Sequence, residues 1–359
     1  MNFDLAEEHT EITDLAERIL DDHIDLEVLR EIEASQEWFD KELWGKFVSS
    51  GLIGATLKED VGGAGLDIVA LACLLRSQGQ HVAPIPLLPT LVSSLTLDKF
   101  ATDDQRKSLL PKVADGSKIL TFASQEFLND QFMEPSTSYE NGLITGRKIV
   151  VEYANHADSA LVTAMGDGEP SLFIVDLEDS NITMRSTSST RGEPLWELSF
   201  EATPAEKIGG KESVAWLHQI LLVSLCATQL GVTETALKMT ASYTSEREQF
   251  GRPLATFQAV TQRLADQFIN VGGIRLTTFS AAWRLSAGLD ALEDLLVAKW
   301  WASERATEIA HATQHCHGGM GVSTDYPLYR YTLWNKHITT SLGAGTQTLR
   351  SLGHLLASN

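Results

Sequence analysis

Leu5, Ile12, Leu15, Ile19 and Leu20 recur at spacings of three, four and seven, which lays one apolar stripe along a helix. Trp44, Phe47 and Val48 continue that spacing in a second helix. The turn Gly62-Gly63-Ala64-Gly65 then separates these from Ile68-Val69-Leu71-Ala72-Leu74-Leu75, again helical. Pro84, Pro86 and Pro89 interrupt the chain before a helix around Leu91 to Leu97. Asp104-Gln105-Arg106 opens a short helix that ends near Asp115-Gly116.

From Ile119 to about Ile208 the period changes. The runs Leu143-Ile144, Lys148 to Val151, Ala160 to Val162 and Leu172 to Val175 are short, β-rich and divided by Gly, Asn and Asp. They predict a small all-β domain, an antiparallel barrel. From Glu212 onward the pattern is helical again: one long helix to about Glu248, a second from Phe257 to Leu285, a third from Leu289 to His315. The expected architecture is therefore α+β and multidomain. It has an N-terminal helical domain (1–117), a middle antiparallel β-barrel (118–210) and a C-terminal four-helix-bundle-like domain (211–359).

A length of 359 residues exceeds one ordinary core and agrees with several domains. The N-terminus has neither a basic start nor an apolar core, so no signal peptide is expected. The most apolar stretch, Ile220 to Leu230, is too short to span a bilayer, so no membrane partner is expected either. Cys73, Cys226 and Cys316 lie far apart and read as buried thiols of a reducing cytosol. A net charge of −20 excludes nucleic acid and anionic membranes as partners. The charge is uneven. Residues 1 to 60 hold 17 acids against 5 Lys/Arg, whereas Asp325 is the only acid from Ile309 onward.

Chemistry concentrates in residues 247 to 258, Arg-Glu-Gln-Phe-Gly-Arg-Pro-Leu-Ala-Thr-Phe-Gln, after the long helix. Arg247 offers a planar fork of N–H donors suited to a phosphate, Phe250 an aromatic edge, and Gln258 an amide that donates and accepts. As an isolated residue Arg247 would more often be a surface salt-bridge partner, and Phe250 a core residue. His311, His315 and His317 could suggest a metal, but no Cys or carboxylate completes the set, so none is expected. Gly318-Gly319-Met320-Gly321 has no preceding strand, which excludes a Rossmann fingerprint.

With Val260 and Leu264-Ala265-Asp266, the 247–258 stretch resembles the C-terminal signature of the acyl-CoA dehydrogenases. Smaller motifs agree and follow in order along nearly the whole chain. Gly51-Leu52-Ile53-Gly54 with Glu59 to Gly65 is similar to the N-terminal pattern, and Gly142 to Lys148 with Ala157-Asp158 to the β-domain hairpin. Gly318 to Gly321 with Asp325-Tyr326-Pro327 is similar to the "Gly-Gly-x-Gly…Tyr-Pro" segment.

The resemblance implies FAD as cofactor and an acyl-CoA thioester as substrate, with a carboxylate to remove the α proton and a flavin to take the β hydride. It also implies an ADP-binding arm, in which one subunit's Arg-x-x-Phe-Gly and Gly-Gly segments hold the nucleotide end of a neighbour's FAD. The matching residues are Arg247, Gln249, Phe250, Gln258, His315, Gly318 and Gly319.

The base is missing from both places where the family keeps it. Leu342-Gly343-Ala344-Gly345-Thr346 puts Ala344 at the Glu position, and no acid follows Asp325. The other place falls near Leu221 and Leu222, and Glu212 and Glu234 lie ~13 and ~18 Å away along a helix. The family's flavin-ring residues are also unrecognisable in Ser124 to Asp130 and Arg147 to Val151.

The run from His317 to Lys336 is similar to the base-less subunit of heterotetrameric (α2β2) acyl-CoA dehydrogenases that act on steroid side chains or other bulky acyl-CoAs. That resemblance implies a paralogous partner subunit that supplies Glu and ring site, with electron-transfer flavoprotein as acceptor. The alternatives are a homotetrameric enzyme using an unrecognised base, Glu126 or Asp325, and a non-enzymatic scaffold on this fold.

Overall fold

The computed structural model describes residues 4–35 and 37–358. The helices are α1 (Glu7–His23), α2 (Leu26–Ala34), α3 (Lys41–Ser49), α4 (Ile68–His81), α5 (Leu87–Phe100) and α6 (Asp103–Ala114), then α7 (Lys211–Glu246), α8 (Gln258–Ser286), α9 (Leu292–Trp300), α10 (Ala306–His317), α11 (Leu328–Thr340) and α12 (Gly345–Ser358). Eight strands lie between α6 and α7: β1 (Leu120–Ala123), β2 (Ser138–Glu140), β3 (Leu143–Glu152), β4 (Ser159–Gly166), β5 (Glu169–Asp176), β6 (Ile182–Ser188), β7 (Pro194–Pro204) and β8 (Glu206–Gly209). Two more, β9 (Glu248–Gln249) and β10 (Arg252–Pro253), follow α7. Spatially the chain forms two compact units. One comprises Met1–Val28, Ala72–Ala83 and Leu222–Asn359, the other Leu29–Leu71 and Pro84–Leu221.

The second unit holds the sheet. Its order is β6-β7-β3-β2-β4-β5-β8, with β1 beside β4. This corrects the expected antiparallel barrel in two ways. First, β1 and β2 both run parallel to β4, β1 against Ser159 to Val162 and β2 against Met165 and Gly166. The chain enters the sheet directly from α6 and returns to the same strand edge further along. Second, the path does not close. β6 and β8 are the two ends of the path, and the last residues of β6, Arg185 to Ser188, are exposed. The core between the strands is Ile144, Val151, Val162, Phe173, Val175, Leu198 and Phe200, all buried.

Two hairpins in this sheet turn on the residues such turns demand. Asn141-Gly142 joins β2 to β3 and Asp167-Gly168 joins β4 to β5, with positive φ at both central residues of each. β3 merges the two predicted runs around irregularities at Ile144/Gly146 and Lys148/Val151. Elsewhere in this unit α6 begins with a capping box between Thr102 and Gln105. Arg106 on α6 donates to Asp98 at 2.8 Å and to Asp60 at 2.9 Å, which fixes the Glu59–Gly65 turn.

The first unit is helical. α1 buries Ile12 and Leu20 of its predicted stripe, while Leu5 stays exposed. α4 and α7 approach so closely that a Cβ on Gly79 would collide with the Thr228 carbonyl, and one on Gly231 with the Arg76 carbonyl. Arg76 then donates to Glu234 at 2.7 Å, and Arg275 of α8 to the same carboxylate at 2.6 Å. One stretch of α7 is long and apolar enough to cross a membrane by composition, and 83% of it is buried inside the protein, as in a core helix. The predicted third helix is α9 and α10 joined by a π-helical turn, Trp301–Arg305. Cys73 and Cys226 are buried as expected, but Cys316 is only half-buried, because it sits on the last turn of α10.

Candidate functional site

Arg247 leaves the end of α7, its N–H donating to Tyr243 at 2.8 Å. The chain then folds into a hairpin with Gln249 opposite Arg252 and Glu248 opposite Pro253, and the Leu254 N–H returns to the Arg247 carbonyl at 2.8 Å. The two central residues are Phe250 and Gly251, at φ 57° and 77°. The other two hairpins put Asn or Asp at the first of these positions. Here it is a phenylalanine, held in a left-handed conformation that costs a bulky L-residue about 1–2 kcal/mol. Its ring is 92% exposed and touches Phe257 edge-on at 6.1 Å. Backbone strain and an uncovered aromatic thus coincide at one residue. Gln258 then starts α8, also exposed.

The second motif sits beside the first. Tyr243, one turn before Arg247, stacks on His317 with ring centroids 4.3 Å apart. His317 Nδ1 faces the Thr313 carbonyl at 2.8 Å, so this nitrogen carries the proton, and Nε2 accepts from the Tyr326 hydroxyl at 3.2 Å. Burial lowers the His317 pKa, which keeps the ring neutral for this bonding. Gly318 follows at φ 60° and ψ −137°, a region open essentially to glycine alone. A Cβ on Gly318 or Gly319 would meet nothing within 4 Å, so the turn faces open space. His315, three residues before Gly318, is exposed.

Tyr243 and His317 thus tie the two sequence motifs together on one surface. His317 is turned inward while His311 and His315 face solvent, and among the described residues no group of three His, Cys, Asp or Glu could hold a metal. Open glycine backbone, an unpaired arginine fork and an exposed ring suit a nucleotide's phosphates and base.

The two candidate bases differ in setting. Glu126 is buried, receiving Lys148 Nζ at 2.6 Å, the Thr137 hydroxyl at 2.7 Å and the Ser136 N–H at 2.6 Å. Despite the opposing effect of burial, the Lys148 ammonium and these donors hold its carboxyl at about 2, unfit to take a proton from carbon at neutral pH. Asp325 is exposed, in the loop between α10 and α11.

Ala344 stands just before α12. Its N–H donates to Gln347 at 3.0 Å and its carbonyl accepts from the Thr348 N–H at 3.0 Å. The loop before it is held by Lys299, whose buried ammonium bonds Ser303 Oγ and the carbonyls of Ile338, Thr339 and Gly343. One acid does reach this loop. Glu304, on the π-helical turn, lies where a side chain on Gly345 would be. Nothing in the sequence marks it, because the π turn that aims it there has no signature of its own. In the sheet, Glu152 and Glu193 flank buried Arg191 at 3.3 and 2.8 Å, next to the Arg147 to Val151 stretch.

Residues 223–352 match the description "Acyl-CoA dehydrogenase, C-terminal domain", and residues 6–117 match "Acyl-CoA dehydrogenase, N-terminal domain". Acyl-CoA dehydrogenase FadE27 of Mycobacterium tuberculosis is 32% identical over 99% of both chains. The chain belongs to the acyl-CoA dehydrogenase family. Among solved structures, a variant of the Tcur3481-Tcur3483 steroid ACAD matches with a TM-score of 0.94 and 41% identity over 98% of each chain. The ChsE4-ChsE5 complex from Mycobacterium tuberculosis matches with a TM-score of 0.95 and 33% identity over the full length of each chain. This acyl-CoA dehydrogenase fold is therefore shared with proteins solved as steroid-type or two-component assemblies.

Proposed function

We propose that the chain is the non-catalytic subunit of a heteromeric, FAD-dependent acyl-CoA dehydrogenase, built as segments 1–117, 118–210 and 211–359. In this reading a paralogous subunit provides the catalytic carboxylate and flavin-ring site, and this chain grips the nucleotide end of that FAD. When bound, FAD accepts the hydride from the thioester's β carbon. Arg247 would hold phosphate, Gly318 and Gly319 would let backbone approach it, and Gln249, Phe250, Gln258 and His315 would line the adenosine side. The substrate class is a steroid side-chain or similarly bulky acyl-CoA, with electron-transfer flavoprotein as acceptor and a reducing cytosol as setting.

The observation that carries this reading is Phe250, strained and 92% exposed at a hairpin tip. Backbone strain of this kind clusters at functional sites, and packing within the chain gives this ring no reason for it. Two further facts support it. No acid follows Asp325 in the sequence, and Glu126 is locked to Lys148. Solved proteins of this fold carry FAD or FADH2. The chain should be purified alone and with an adjacent paralogue bearing an acid at either base position. The complex is expected to be yellow and to reduce dye with acyl-CoA. Full activity of the isolated chain would overturn the reading.

Glu304 favours one competing reading, a self-sufficient dehydrogenase whose base comes from the π-helical turn rather than the Ala344 loop. Under it E304Q abolishes turnover of the isolated chain. A scaffold without nucleotide predicts instead that R247A leaves the FAD content of any complex unchanged.

A further inference from the structure

Arg252 lies directly opposite Gln249 in the β9–β10 hairpin. Cross-strand partners project to one face, so both side chains stand on the same side of the finger. The Arg252 guanidinium carbon sits 4.0 Å over the centre of the Phe257 ring. That stacking covers the guanidinium from one side, and no hydrogen bond or ion pair among the described residues occupies its N–H donors.

The charge environment is unusual for this protein. The chain carries 48 acids against 28 Lys and Arg, and many of its arginines are paired, among them Arg76 with Glu234, Arg106 with Asp98, Arg275 with Glu234 and Arg284 with Asp294. Among the described residues Arg247, Arg252 and Arg263 have no ion pair, although Glu248 is their neighbour. Arg263, near the start of α8, acts electrostatically on Cys316, two residues before Gly318, so cationic character extends from the hairpin to the glycine turn. Guanidiniums without an ion pair, two on the hairpin and one in the first turns of α8, suit an anion of more than one charge.

We propose that Arg252 is a second anion-binding guanidinium of the nucleotide arm, acting with Arg247 on the diphosphate of FAD. This rests on the reading that the chain completes a neighbour's FAD site. Phe257 then orients the second fork before the nucleotide arrives.

The test uses the co-purified complex and reads FAD per complex and FAD dissociation at several salt concentrations, for wild type, R247A, R252A and R252K. R252A is expected to weaken FAD binding about tenfold, the usual effect of losing a hydrogen bond to a charged group. R252K should recover part of that loss, the salt dependence of R252A should be shallower, and the unfolding temperature of the FAD-stripped complex should not change. If R247A releases FAD but R252A retains it as wild type does, Arg252 has no such role and the arm reading stands. If neither variant loses FAD, both ideas fall. A fall in the unfolding temperature of stripped R252A without rescue by R252K assigns Arg252 to structure alone and overturns the proposal.

Discussion

Lys299 Nζ donates to the carbonyl oxygen of Gly343 at 3.1 Å, fastening the end of α9 to the loop that carries Ala344. The Ile338 and Thr339 carbonyls at the end of α11 share the same ammonium. These lie among the last carbonyls of a helix C-terminus, where a cation also meets the negative end of the helix dipole. Burial pulls the Lys299 pKa down to about 8, so it is still charged at neutral pH. K299M would remove the ammonium bonds to Ser303 and to the Thr339 and Gly343 carbonyls and should cost about 2–4 kcal/mol in urea unfolding. Faster amide exchange over 341–345 would confirm that the loss is felt at this loop.

Glu126 and Lys148 form a buried pair at 2.6 Å. Breaking it from one side leaves an uncompensated charge in the sheet core. E126A should therefore destabilise by about 3–5 kcal/mol, whereas the double variant E126A/K148M should recover more than half of that. Chemical denaturation of the four proteins measures the coupling, and additive losses would refute it.

His218 on α7 stacks on Phe132 at 4.5 Å. Burial drives its pKa down to about 4 from the ordinary 6.5. The unfolded chain therefore binds the proton first, and stability is fully present above pH 6.5 and lost as pH falls towards 4. The loss is on the order of 3 kcal/mol from this residue. H218F should flatten that part of the profile of unfolding temperature against pH.

Gly79 and Gly231 permit the close approach of α4 and α7. A methyl group at either position would meet backbone, which cannot swing aside as a side chain can. G79A and G231A should each cost about 3 kcal/mol or more, against the small gain that Ala gives in an exposed helix. Thermal unfolding decides between them.

The sequence made the helices readable where apolar residues kept one period, as in α1 and in α8 with its buried Val271, Ile274, Thr278 and Leu285. It disclosed the strands less completely, since the bulges in β3 divided one strand into two apparent runs. The parallel placement of β1 and β2 on β4 was hidden, because strand neighbours are chosen by tertiary packing rather than local pattern. At the candidate site, Arg247 and Phe250 stood out in the sequence through the motif that resembles the family's. The strain at Phe250, the Tyr243–His317 stack and the reach of Glu304 to Gly345 exist only in three dimensions.

Because Phe250 and Gly251 are both fixed in the left-handed region, the finger has its shape before any neighbour arrives. Little ordering entropy is left to lose on contact. In the proposed assembly, changes to its side chains should then show themselves mainly in how long the complex holds together, and far less in how fast its pieces find one another.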